Sequence, residues 1–268
     1  MTKERLEELR RLASEIKKDV VRMAGVAHSV PFDASLSLSA FFVYLYWEQL
    51  RVSPEQPRRA DRDRFVLGVE AASPLLYAAL AKRGFFGRDE LWHYRRLGAL
   101  LQALPDFRRI PGIDAPCVTT GSALSLALAM AVELDKIKSD ARVFCLVEES
   151  SLDSEDFAAE LKRTALLKLR NLTLLVCASA DLFKKGRARL AKLAQGWNIA
   201  SADGSDLCDI EKAFALLDFK AEKPGALFVM TGGEPLPSIV AGEKHKKSMN
   251  AEDMDRALEE LEGRGHER

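Results

Sequence analysis

The residues best placed to do chemistry are Glu148, Glu149 and Ser150, directly after the apolar run Arg142-Val143-Phe144-Cys145-Leu146-Val147. With Asp153, Glu155 and Asp156 they make an acidic stretch. Carboxylate oxygens are ligands for hard divalent cations, so a metal cluster is one reading. The better one is electrostatic: acids at a helix N-terminus complement its macrodipole. Ser150 followed three residues later by Asp153 also resembles a capping box. A turn that cradles a diphosphate needs glycines, because only they let backbone approach the anion closely. It also needs a metal-binding aspartate. This junction carries two glutamates and two serines instead.

Other candidates are weaker. Arg95-Arg96 and Arg108-Arg109 can bind phosphate, or can be solvated or interfacial, and both readings stay open. His93, within Leu91-Trp92-His93-Tyr94-Arg95, reads as a partly buried structural residue rather than a catalytic base. Lys184, Lys185, Arg187 and Arg189 read as an exposed helix face, and Asp203-Gly204 as a structural turn. Cysteines 117, 145, 177 and 208 form no C-x-x-C pair. Cys145 and Cys177 fall in apolar runs and read as core thiols. Cys117, after Pro116, is the one to test for reactivity. This usage points to a reducing, cytoplasmic setting.

The chain has 268 residues, 47% hydrophobic and 30% charged, enough for one large core. Forty basic and forty acidic residues give zero formal charge, which argues against a dedicated nucleic-acid binder. Near-zero charge gives little repulsion between copies, so self-association or a partner is expected. No secretory leader is visible at the charged N-terminus. The apolar stretch Phe41 to Trp47 falls short of the ~20 residues a membrane span needs.

Leu6, Leu9, Ile16, Val20 and Met23 predict an amphipathic helix over 4–25. Further helices are expected from Ser35 to Leu50, Pro74 to Lys82, Arg88 to Leu97, Gly121 to Val132, Ser154 to Leu169, Lys184 to Gln195 and Leu207 to Leu217. Strands are expected at 65–67, 142–147, 172–177 and 226–230, with a loop over 103–120. Alternating strands and helices predict an α/β fold with a mostly parallel sheet covered on both faces. The main domain is expected over 1–242. A charged tail over 243–268, with Lys244-His245-Lys246-Lys247 and an acidic helical run, is expected to be mobile or partner-ordered.

Several segments resemble the N-terminal, diphosphate-binding half of transketolase. They are Asp61-Arg62-Asp63-Arg64-Phe65-Val66-Leu67, Leu76-Tyr77-Ala78-Ala79-Leu80 running into Arg83-Gly84-Phe85-Phe86, Ser35-Leu36-Ser37, Leu97-Gly98, Gln102, Pro105-Asp106, Pro111-Gly112 and Leu169-Arg170-Asn171-Leu172-Thr173. The match runs from about residue 10 to 235. The resemblance implies the thiamine-diphosphate-binding fold, with the cofactor site shared across a dimer interface. It also implies a stand-alone N-terminal subunit, the other half coming from a second chain.

The cofactor motifs depart from the family. Its Gly-Asp-Gly is here Glu148-Glu149-Ser150, and its metal-binding Asn is Ser179. Its Gly-His-Pro-Gly-Gly is Val30-Pro31-Phe32-Asp33-Ala34, its Lys-Gly-His is Val69-Glu70-Ala71, and its Gly-His-Pro-Asp is Ala103-Leu104-Pro105-Asp106. The Gly-x-x-Gly-Gln-Gly loop is Val118 to Ala123 and keeps Gly121. His28 lies three positions early for the first motif. Scaffold segments are kept while cofactor segments are replaced. This implies a non-catalytic structural or regulatory subunit with no cofactor, acting as a homodimer or with a transketolase C-terminal-type chain. Glu148, Glu149, Ser150, Ser179 and Gly121 are then vestigial cofactor positions, Glu149 and Ser179 the vestigial metal ligands. The alternative is an active split transketolase holding thiamine diphosphate with Mg²⁺ or Ca²⁺. A weaker one is a binding module for another anion, using Arg95, Arg96, Arg108 or Arg109. The small-residue helix from Gly121 is expected either to pack as core or to fill a former cofactor pocket as interface.

Overall fold

The computed structural model describes residues 1–28, 33–116, 122–217, 219, 221–233, 236–241 and 248–263. Along the chain, α1 is Lys3–Ala27, α2 Asp33–Ser37 and α3 Ser39–Tyr44, which widens into a π turn over Leu45–Gln49. Then come β1 (Arg64–Leu67), α4 (Ser73–Arg83), α5 (Ala123–Lys136), β2 (Val143–Glu148), α6 (Glu155–Leu166), β3 (Leu172–Ser179) and α7 (Ala180–Leu193). The chain continues with β4 (Asn198–Asp203), α8 (Leu207–Leu216), β5 (Gly225–Thr231), α9 (Ser238–Ala241) and α10 (Ala251–Gly263).

The five strands form one parallel sheet in the order β1-β2-β3-β5-β4. Side chains alternate across it, as the two-residue strand period requires. Phe144 and Leu146 of β2 and Leu175 and Cys177 of β3 join a core cluster with α1, α3, α4 and α8. Val143, Cys145 and Val147, with Leu172, Leu174 and Val176, join a second cluster with α5, α6 and α7. Burial on both faces explains why these strands read as unbroken apolar runs. The buried thiols of Cys145 and Cys177 are raised by desolvation, Cys177 to about 12.

The transketolase-like segments turn out to be scaffold. Asp63 is fully buried and accepts from Arg51 Nη2 at 2.8 Å and from the backbone N and Nη2 of Arg142 at 2.8 Å each. It therefore ties the lead-in of β1 to that of β2. Tyr77 Oη donates to Gln102 O at 2.9 Å, and Asn171 Nδ2 to Ala131 O at 2.9 Å.

Three expectations need correction. The predicted helix 88–97 is a short 3₁₀ segment, Arg88–His93, which ends where Tyr94 turns to ψ 127°, followed by Arg95 in left-handed backbone at φ 61°. Strand β4 was not foreseen; it is a half-buried sheet edge, with few β-branched residues to announce it. The third is the tail expected to be mobile or partner-ordered: α10 is docked on α1 within the chain itself. Met249 and Ala257 are buried, Lys18 meets Glu262 at 3.0 Å, and a Cβ at Gly25 would lie 2.5 Å from Met254 Sδ. Glu252, Asp255, Glu259 and Glu262 of α10 are exposed, Asp253 is buried, and Met254, Leu258 and Leu261 pack inward. Packing thus continues past 242. Lys244-His245-Lys246-Lys247 lies outside the described residues.

Candidate functional site

Parallel strands end together, and in open α/β sheets ligands sit outside those carboxyl ends. Here the register sets Glu148 beside Cys177 and Ser179 beside Thr231. Glu148, Glu149, Ser150 and Ser179 therefore share one edge of the sheet. Glu148, Ser150 and Ser179 are exposed, and Glu149 is half-buried. Ser150 Oγ reaches Glu148 Oε2 only at 3.5 Å. Gly121 lies outside the described residues, as do Pro31 and Cys117.

The side chain of Glu149 runs onto α7. A Cβ on Gly186 would lie 2.5 Å from Glu149 Cγ, 3.0 Å from its Oε1 and 2.7 Å from Phe228 Cζ. Glycine in a helix interior is otherwise unfavourable, and here it makes room for Glu149 and Phe228. Arg189 of α7 pairs with Asp153, clamping the same helix to the 149–153 turn. Helix α7 starts at once after Ser179, whose side chain makes no capping bond. The cap of α6 is Ser154, accepting from Phe157 N at 3.3 Å, so the box suggested at Ser150–Asp153 is not the one used. Among the described residues, no three His, Cys, Asp or Glu side chains converge to hold a metal.

The positions of the family's histidines are equally plain. Ala71 is held by its carbonyl, which accepts from Ser35 Oγ at 2.6 Å. Leu104 is exposed. His28 caps α1 and its Nδ1 lies 3.1 Å from Met249 O, so it anchors the C-terminal segment. On α5, Ala123, Leu124, Ala127, Leu128, Ala131 and Leu134 are buried in the second core cluster. This face is intradomain core. A Cβ at Gly68 would meet Ala123 Cβ at 2.7 Å, so the start of α5 is pressed against the end of β1. The Gly186 contact was not foreseen, because nothing local marks a helix-interior glycine as the partner of a distant glutamate. His93 is exposed rather than partly buried.

A parallel sheet flanked by helices, with polar residues gathered at the strand ends, defines an open α/β domain. The family described as transketolase, thiamine diphosphate binding domain, matches residues 3–262, and the chain belongs to it. It is 24% identical over 258 residues to an apulose-4-phosphate transketolase subunit of Phocaeicola vulgatus, covering 92% of each chain. It is 26% identical to 6-deoxy-6-sulfo-D-fructose transketolase subunit SqwG of a Clostridium species, covering 96% of this chain and 98% of that one. Of transketolase-like protein 2 from Bos taurus it spans 42%, at 27% identity. The crystal structure of Campylobacter jejuni transketolase shares the fold with a TM-score of 0.74 at 22% identity, over 86% of this chain and 38% of that one. Among the described residues, no helix is long and apolar enough to cross a membrane.

Proposed function

We propose that this chain is a transketolase-type N-terminal subunit that has lost thiamine diphosphate and metal binding and serves an assembly as a non-catalytic structural or regulatory component. The observation that carries the reading is the seating of Glu149 on Gly186, which commits the one carboxylate at the metal-aspartate position to α7. The remaining donors do not fit a diphosphate with its cation. Glu148 brings a negative charge where the family has glycine. At ~4 Å from a diphosphate oxygen its repulsion is on the order of 1–4 kcal/mol for effective dielectrics of 80 to 20. Ser179 offers only a hydroxyl, a weak ligand for a hard cation beside a carbonyl or carboxylate oxygen.

The partner is a second copy, a transketolase C-terminal-type chain, or both, and the compartment is the reducing one that the cysteine pattern suggests. The subunit-type relatives, spanned almost end to end, support the two-chain arrangement. Their transketolase names also favour a second reading, an active split enzyme moving a two-carbon ketol unit between sugar phosphates.

Calorimetric titration of the isolated complex with thiamine diphosphate and Mg²⁺ separates the two. No binding is expected for the unaltered chain. A variant carrying Glu148→Gly, Glu149→Asp and Ser179→Asn is expected to gain some. Tight binding by the unaltered complex overturns the non-catalytic reading.

A further inference from the structure

We infer that an ordered water molecule is bound inside the chain, between the Tyr46 hydroxyl, Nε of Arg62, Nε of Arg83 and Oδ1 of Asp114. The four atoms come from four separate parts of the chain: the π turn, the lead-in of β1, the end of α4 and the segment before α5. All four are buried, and among the described residues none of them has an aligned hydrogen bond. A buried polar group left unpaired is costly, so four in one neighbourhood point to a shared partner.

The packing brings them together. Tyr46 is 2% exposed, and its ring meets that of Phe65 edge-on with centroids 5.9 Å apart. Phe65 N donates to Asp114 Oδ2 at 2.9 Å, which leaves Oδ1 to other groups. Arg62 Nη1 forms an ion pair with that Oδ1, and Arg64 Nε lies 3.8 Å from it. On the other side, the Arg83 guanidinium lies over Trp47, 5.4 Å from the ring centroid, and its Nη2 donates to Val52 O at 3.0 Å. The charges that act on the Tyr46 hydroxyl are those of Asp114, Arg62 and Arg83, the same three residues. Burial keeps the phenol neutral, well above its ordinary value of 10. Tyr46 also sits in the π turn Leu45–Gln49, an irregularity frequent at functional sites.

Water matches this set of groups. It can accept from both Nε–H groups and donate to the carboxylate and phenol oxygens, using two lone pairs and two protons. Buried waters typically make about three such bonds to groups that otherwise lack partners. A halide ion could accept from the guanidinium groups but would face the like charge of Asp114. The water joins four elements at the amino end of β1, an outer strand of the sheet. It is therefore remote in kind and place from the carboxyl edge of β2 and β3, and independent of the cofactor question.

The test combines a crystal structure of the full chain, with a second data set from bromide-soaked crystals, and chemical unfolding of Tyr46→Phe. A peak without anomalous signal is expected ~2.7–3.2 Å from Tyr46 Oη and from at least two of the other three atoms. Tyr46→Phe keeps the ring and removes one hydrogen bond, so the unfolding equilibrium constant should rise about three- to tenfold. A hydroxyl without a partner predicts the opposite, because phenylalanine then suits the apolar surroundings better. No peak, a bromide peak at the site, or a Tyr46→Phe chain at least as stable as the unaltered one overturns the inference.

Discussion

Replacing Gly186 by alanine probes the contact on which the functional reading turns. In an open helix interior the change stabilises by about 1 kcal/mol, because alanine is the better helix former. Here the new methyl would sit 2.5 Å from Glu149 Cγ and 2.7 Å from Phe228 Cζ. Glu149 is half-buried and can withdraw, whereas Phe228 is fully buried and cannot. Overpacking of this kind costs about 1–3 kcal/mol, and with an immobile ring on one side the upper part of the range applies. Net destabilisation of about 1–2 kcal/mol is expected for Gly186→Ala. Glu149→Ala alone should fall within about 0.5 kcal/mol of the unaltered chain. The double variant should recover about 0.5–1 kcal/mol relative to additivity, since one of the two clashes has gone. Urea unfolding followed by far-ultraviolet circular dichroism measures all four corners of the cycle. A stabilising Gly186→Ala, additive with Glu149→Ala, would refute the reasoning. It would leave Glu149 free to face the crevice at the strand ends.

Asp63→Ala should destabilise by about 3 kcal/mol, because it removes the buried carboxylate that joins half-exposed Arg51 to the mostly buried Arg142 and leaves the Arg142 backbone N–H without its acceptor. Burial opposes ionisation of Asp63, but hydrogen bonds from Arg51 and Arg142 more than offset it and hold the carboxyl below its ordinary value of 3.8. A depressed folded value stabilises above the unfolded value and loses that effect as pH falls through the folded one. The stability gap between the unaltered chain and Asp63→Asn should therefore be full near neutral pH and narrow below pH ~4 in acid-titrated urea melts. Gly25→Val should push Met254 away and loosen α10, lowering stability by about 1–3 kcal/mol. Faster amide exchange over 251–263 would report it, and unchanged exchange there would contradict the docking of α10 on α1.

The sheet was legible because β2, β3 and β5 are buried on both faces and so carry uninterrupted apolar runs. Edge strand β4, Asn198-Ile199-Ala200-Ser201-Ala202-Asp203, buries only alternate residues and offered no such run. The 88–97 segment has helical composition, yet Arg95 and Gly98 both take positive φ in a loop closed by Arg95 N donating to Leu101 O and Gln102 Nε2 donating to Arg96 O and Ala99 O, bonds invisible in local propensity. In α10 the acidic outer face masked the Met254, Leu258 and Leu261 stripe that docks it. The candidate edge itself was legible too, because strand ends in a parallel sheet converge whatever their side chains. What could not be read was where the Glu149 side chain goes, since that depends on a missing side chain on α7. The kept transketolase-like residues find their reason in packing: Asp63 and Asn171 each complete a hydrogen bond between elements, Tyr77 donates from α4 to the Gln102 carbonyl, and the Gln102 side chain closes its own loop on Arg96 O and Ala99 O.

Native mass spectrometry of the chain, isolated gently with its partners, tests the central claim most directly. The account predicts an oligomer whose mass is that of protein alone. Stoichiometric thiamine diphosphate with Mg²⁺ or Ca²⁺ on this subunit would contradict it.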